Sequence, residues 1–118
     1  MGGYKVQGKS SNEANALIQE AKKIEDSGAD LLLLECVSSQ TAKELASEIS
    51  IPIIGIGAGS EVDGQILVLY DILGISQGQL PKFSKNYMDG NNTIEDAIKQ
   101  YIQEVKTLKY PTDKHSFK

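Results

Sequence analysis

Apolar residues at Ala14, Leu17, Ile18, Ala21 and Ile24 recur every three or four positions and predict an amphipathic helix. Ser10 and Glu13 open it with capping-box spacing, in which each side chain satisfies a free backbone N–H of the first turn. Gly28 ends it, because glycine accepts the positive φ of a helix stop. The pattern then changes. Leu31-Leu32-Leu33-Leu34 is a continuous apolar run ending in Glu35, which predicts a strand over residues 30–37. A second helix follows from about Ser39, with Ala42, Leu45, Ala46 and Ile49 turned inward. Ile51-Pro52-Ile53-Ile54-Gly55-Ile56-Gly57-Ala58-Gly59 gives the next strand and a glycine loop. Pro52 sits near the strand's start, where its missing N–H does least harm. A half-exposed strand would alternate, so these unbroken runs predict parallel strands covered on both faces. Strand, helix and strand with short connections make a βαβ unit.

After a turn at residues 60–64, residues 65–71 fit either a short strand or a helical turn. Ile66-Leu67-Val68-Leu69-Tyr70 directly after Gly64 favours the strand, although Ile66, Leu69 and Leu73 also share a helical face. Residues 74–92 carry Gly74, Gly78, Pro81, Gly90, Asn91 and Asn92 and are expected to be irregular. The last helix is predicted over residues 93–109 from the stripe Ile94, Ala97, Ile98, Tyr101, Ile102, Val105 and Leu108. Thr93 or Asn92 caps it and Pro111 ends it. Residues 1–9 are expected to form a loop, and residues 10–73 to be βα units.

These elements define an α/β chain, yet two or three strands are too few to close a barrel, and the first helix has no preceding strand to cross over from. The expected architecture is therefore one partial domain over residues 1–118, the C-terminal portion of a (βα)8 TIM-type barrel. A complete barrel takes about 250 residues, against 118 here. A small three-layer α/β domain is the alternative. In a parallel barrel the reacting groups sit at the C-terminal strand ends, and Glu35 occupies that place.

Composition removes several function classes. Twelve lysines and arginines against 16 aspartates and glutamates leave a net charge of −4, with no tryptophan and no basic run. That argues against a nucleic-acid surface. No apolar stretch approaches the roughly 20 residues that span a bilayer, and Met1-Gly2-Gly3-Tyr4-Lys5 lacks a secretion signal. One cysteine makes no internal disulfide, which fits a reducing cytoplasm.

Candidate chemistry centres on Glu35. Partial burial at a strand end would raise its pKa towards the range useful for proton transfer; a structural ion pair with a lysine is the alternative. The run Gly55-Ile56-Gly57-Ala58-Gly59 brings backbone N–H groups together and could cradle a phosphate, or simply form a tight turn. It is neither a P-loop nor a dinucleotide fingerprint. Cys36 is expected to be a buried hydrophobe, His115 a solvated tail residue, and Asp63 a turn or cap residue. Asp71 is a further acidic residue near a strand end.

The chain resembles the ketopantoate hydroxymethyltransferase family through several segments in order. These are Gly2-Gly3-Tyr4-Lys5-Val6-Gln7-Gly8, Leu33-Leu34-Glu35-Cys36-Val37, the Ile51 to Gly59 run, Asp63-Gly64-Gln65-Ile66-Leu67-Val68, Pro81-Lys82-Phe83 and His115-Ser116-Phe117. The likeness corresponds to roughly the C-terminal 45% of a barrel of typical length. It implies hydroxymethyl transfer from 5,10-methylenetetrahydrofolate to 3-methyl-2-oxobutanoate in pantothenate biosynthesis, with Glu35 as the proton acceptor. It also implies Mg2+ held by residues of the missing N-terminal part, none of them in this chain, and either a homo-oligomer or a partner supplying that part. The isolated chain is expected to be inactive. A non-catalytic remnant, an assembly subunit and an unrelated phosphate-binding fragment are the alternatives.

Overall fold

The protein's computed structural model describes residues 5–118. Helix α1 (Ser11–Asp26) starts where expected, with the Ser10 hydroxyl accepting from the Glu13 N–H at 3.2 Å. The Glu13 carboxylate reaches back to the Lys9 N–H rather than to that of Ser10. Gly28 takes φ +94° just beyond the helix. Strand β1 (Leu32–Glu35) is shorter than its apolar run. Helix α2 (Ser39–Glu48) is capped by the Ser38 hydroxyl, and strand β2 (Ile53–Ile56) follows it.

β1 and β2 pair in parallel, with Leu32 opposite Ile53 and Glu35 opposite Ile56. On one face Ile18 and Ala21 of α1 and Ala42 and Leu45 of α2 pack against Leu32, Leu34 and Ile53. Ala42, Leu45 and Ile53 are wholly enclosed. Each such leucine or isoleucine contributes about 1.5–3 kcal/mol through apolar surface removed from water.

The other face departs from the expectation of a strand covered on both sides. Burial along β1 alternates, leaving Leu33 51% exposed, with Leu31 just before the strand 52% exposed. No described element lies over them. The chain accordingly exposes 7505 Å², where a closed monomer of this length would expose about 6,300 Å².

Residues 65–71 do not form the favoured strand. Strand β3 (Gly64–Gln65) pairs with β2 for only two residues, and helix α3 (Leu69–Ile72) begins after three intervening residues. The pairing closes with the Ile66 N–H donating to the Gly55 carbonyl at 3.0 Å, next to the end of β2 at Ile56 and the turn at Gly57, where φ is +67°. The residues of α3 that become buried are Asp71 and Ile72 rather than Leu69.

Helix α4 (Ile94–Lys106) is capped by Thr93, whose hydroxyl accepts from the Asp96 N–H. It stops short of residue 109, and of its expected inward stripe only Ala97 is fully buried, while Ile94, Ile102 and Leu108 are exposed. Residues 74–92 contain no helix or strand, as expected. Within the expected N-terminal loop, Gln7 forms a parallel bridge with Val37, and the Ser38 and Thr41 hydroxyls donate to the Gly8 carbonyl. Residues 1–4 of that loop lie outside the described residues. The entering chain thus runs parallel to β1 just where β1 ends.

Candidate active site

Every strand of a parallel sheet delivers its last residue to the same edge, and here β1 delivers Glu35. Leu33 and Glu35 project from the uncovered face, because side chains alternate along a strand, while Leu32 and Leu34 enter the core. Glu35 is therefore exposed rather than partly buried, since nothing in the described residues covers that face. It makes no salt bridge with a lysine among the described residues.

What fixes Glu35 is backbone. The Cys36 N–H donates to the Ile56 carbonyl at 2.9 Å, and the Cys36 carbonyl accepts from the Gln7 N–H at 2.8 Å. Between them Cys36 adopts φ +52°, a left-handed conformation that costs a non-glycine residue about 1–3 kcal/mol and is kept only where neighbours enforce it. The Cys36 side chain is buried against Ile56 and Phe83, with Leu67 and Phe117 beside them. Burial, and then the Glu35 charge, push its thiol above the ordinary range. It is a small buried hydrophobe, as expected, and a poor nucleophile.

The glycine loop faces protein. Residues 55–59 are all buried. A Cβ on Gly57 would lie 2.5 Å from the Phe83 ring, and one on Gly59 would lie 2.7 Å from the Ser39 Cβ. Both glycines have positive φ. Close packing accounts for this run, and the cradle a phosphate would need is filled by Phe83.

The other candidates are not gathered around Glu35. The Asp63 carboxylate accepts from the Ile53 N–H at 2.8 Å, which braces the start of β2, the opposite end from Ile56. Asp71 is buried in α3 and accepts from the Ser76 hydroxyl. His115 is half-buried instead of solvated: its Nδ1 accepts from the Thr112 N–H at 3.2 Å, and its ring lies 5.0 Å from that of Tyr110. Among the described residues no three His, Cys, Asp or Glu side chains stand together to hold a metal ion. The hydrophobic pattern assigned Phe83 and Phe117 no role; their signal was that Pro81-Lys82-Phe83 and His115-Ser116-Phe117 belong to the segments that carry the family resemblance.

The described residues thus form a parallel α/β sheet with helices on one face and the exposed Glu35 carboxylate at a C-terminal strand end. A model of the ketopantoate hydroxymethyltransferase family matches residues 1–113, and the chain belongs to that family. It is similar to three proteins named 3-methyl-2-oxobutanoate hydroxymethyltransferase. The one from Buchnera aphidicola subsp. Acyrthosiphon pisum (strain APS) is 50% identical over 117 residues, covering 99% of this chain and 44% of the relative. The Shewanella loihica protein is 51% identical over 116 residues, covering 98% and 44%. That of Pseudomonas fluorescens is 50% identical over 118 residues, covering 99% and 44%. The chain thus spans less than half the length of these curated relatives. No helix among the described residues is long and apolar enough to cross a membrane.

Proposed function

We propose that this chain is one partial domain, the C-terminal portion of a (βα)8 barrel, and that it supplies Glu35 as the base of a cytoplasmic hydroxymethyltransferase. In that reaction Glu35 accepts the proton from carbon 3 of 3-methyl-2-oxobutanoate. Water cleaves the two C–N bonds that hold the methylene group of 5,10-methylenetetrahydrofolate, releasing tetrahydrofolate and a formaldehyde unit. The enolate carbon bonds to the carbon of that unit, whose carbonyl oxygen takes up a proton to become the new hydroxyl. Mg2+ would polarise the keto acid when bound. Among the described residues no three His, Cys, Asp or Glu side chains assemble a site for it, and the proposal places its ligands in the rest of the barrel.

The observation that carries the reading is the pairing of Glu35 with Leu33 on an uncovered sheet face, in a chain matching 44% of its relatives. A barrel interior is such a face, and catalytic groups stand at its C-terminal rim. The excess exposed area, about 1,200 Å² over a closed monomer, is of the size that an obligate interface removes from each partner. The remainder of the barrel is the partner of that shape. With no such partner, Glu35 has nothing to stabilise an enolate, so the chain alone is inactive.

The test fuses this chain to the N-terminal part of the Shewanella loihica relative and assays product formation from the keto acid and the folate donor. The fusion is expected to be active, and Glu35→Gln to lower kcat by about 10²–10⁴-fold, the usual contribution of a positioned general base. An inactive but folded fusion, or full activity in Glu35→Gln, would sink the proposal. The exposed Ile94 and Ile102 of α4, with Leu108 just beyond it, favour a second role for this chain, as a contact surface in a homo-oligomer.

A further inference from the structure

After Tyr110 the chain turns back to the strand ends that carry Glu35. The Tyr110 hydroxyl donates to the Phe83 carbonyl, and Thr112 and His115 close one 3-10 turn on each other. The Ser116 hydroxyl donates to the Thr112 carbonyl at 2.8 Å. The Lys82 ammonium then pins the segment, donating to the Ser116 carbonyl at 2.6 Å and lying 5.5 Å from the centre of the Phe117 ring. The Phe117 carbonyl accepts from the Ser39 N–H at 2.9 Å, one of the donors that a helix start leaves free. Its ring closes the cluster of Cys36, Ile56 and Phe83.

These contacts meet beside the Glu35–Cys36 junction. The Glu35 side chain has no hydrogen-bond partner among the described residues, so its aim depends on how the backbone turns at the next residue. Cys36 holds a left-handed conformation that a chain free of constraint would leave. Two backbone hydrogen bonds secure its main chain, while its side chain lies in the cluster with Ile56 and Phe83 against which Phe117 packs. If Phe117 withdraws, Cys36 gains room to relax, and relaxation re-aims the carboxylate that precedes it.

We propose that residues 111–118 form a latch that positions Glu35, with Lys82 and Phe117 as its positioning residues. The proposal rests on the reading of Glu35 as the base, and its test separates the two. Neither latch residue touches substrate. Lys82 acts on the tail's backbone and Phe117 on the packing of Cys36.

Two readouts decide it. In the 118-residue chain, Cys36 should react slowly with an aromatic disulfide reagent, being buried. Phe117→Ala and Lys82→Met should each speed that reaction at least about tenfold as the thiol becomes accessible, with the far-ultraviolet circular dichroism unchanged. Lys82→Arg, which still donates to the Ser116 carbonyl, should restore the slow rate. In the fusion, Phe117→Ala and Lys82→Met should lower kcat roughly 10- to 100-fold, the effect of a small misplacement, with KM for the keto acid unchanged. Lys82→Arg should again restore it.

Unchanged thiol rates in both variants overturn the latch. Faster thiol reaction with an unchanged kcat overturns its positioning role. Full activity in Glu35→Gln overturns the reading of Glu35 instead, whatever the thiol does. Should Phe117→Ala not fold, the exposed Lys82 carries the test with its arginine control.

Discussion

Replacing Gly57 by alanine tests whether the glycine loop exists for packing. Two effects add at this position. Its φ of +67° costs an L-residue about 1–2 kcal/mol. The new Cβ would also stand 2.5 Å from the Phe83 Cδ1. Phe83 is 2% exposed and enclosed by Cys36 and Ile56, so its ring cannot swing clear, and overpacking of this kind costs about 1–3 kcal/mol. Gly57→Ala should therefore destabilise the chain by about 2–5 kcal/mol. Gly28→Ala is the control, since φ there is +94° but nothing lies within 4 Å of the added Cβ; only the backbone cost of about 1–2 kcal/mol applies. Urea unfolding followed by circular dichroism gives both values. Shrinking the neighbour should also recover part of the loss, so Gly57→Ala with Phe83→Leu should show a favourable coupling of about 1 kcal/mol. Equal losses in Gly57→Ala and Gly28→Ala, with no such coupling, would refute the packing argument. Stabilisation of the native chain by inorganic phosphate that disappears in Gly57→Ala would revive the anion-cradle reading.

The one-sided sheet predicts a contrast between two leucines. Leu45→Ala, at a wholly enclosed site, should cost about 2–5 kcal/mol, while Leu33→Ala should stay within about 0.5 kcal/mol in the isolated chain; comparable losses would mean that the open face is covered in solution. In the active fusion Leu33→Lys should abolish assembly, read by gel filtration, and a fusion that assembles normally would count against the barrel. His115 predicts a pH effect on stability. Its pKa is lowered by burial and then by Lys85, with Lys114 adding to this and Glu104 opposing, so the unfolded chain takes up the proton first. The stabilisation is present above the ordinary histidine value of about 6.5 and is lost as pH falls through the folded value. Protonation also removes the Nδ1 lone pair that accepts from Thr112. The melting temperature should fall between about pH 7.5 and 5.5 more in the native chain than in His115→Gln, and equal falls would contradict the assignment.

The parts of the fold that were legible in the sequence are those decided within a few residues. Ser10 and Thr93 cap their helices because a short hydroxyl side chain satisfies a nearby N–H whatever the rest of the chain does. The strand ending at Glu35 was legible for a similar reason, since four leucines in a row have few other uses. Residues 65–71 failed because a strand needs a neighbour, and the neighbour here ends at Ile56. Phe83 and Phe117 failed because their partners lie far off in the sequence: Phe83 meets Gly57, and Phe117 packs on the cluster of Cys36, Ile56 and Phe83.

The leucine run carries a subtler lesson. Leu32 and Leu34 are spent on the two helices of this chain, whereas Leu31 and Leu33 remain half exposed. A hydrophobic pattern records what a strand must be covered by, and the hydrophobic effect does not distinguish cover supplied by the same chain from cover supplied by another. Glu35 projects from that same uncovered face, so its exposure and that of Leu33 are one observation. Whatever closes over Leu33 must also enclose Glu35, so covering the sheet and enclosing that carboxylate stand or fall together.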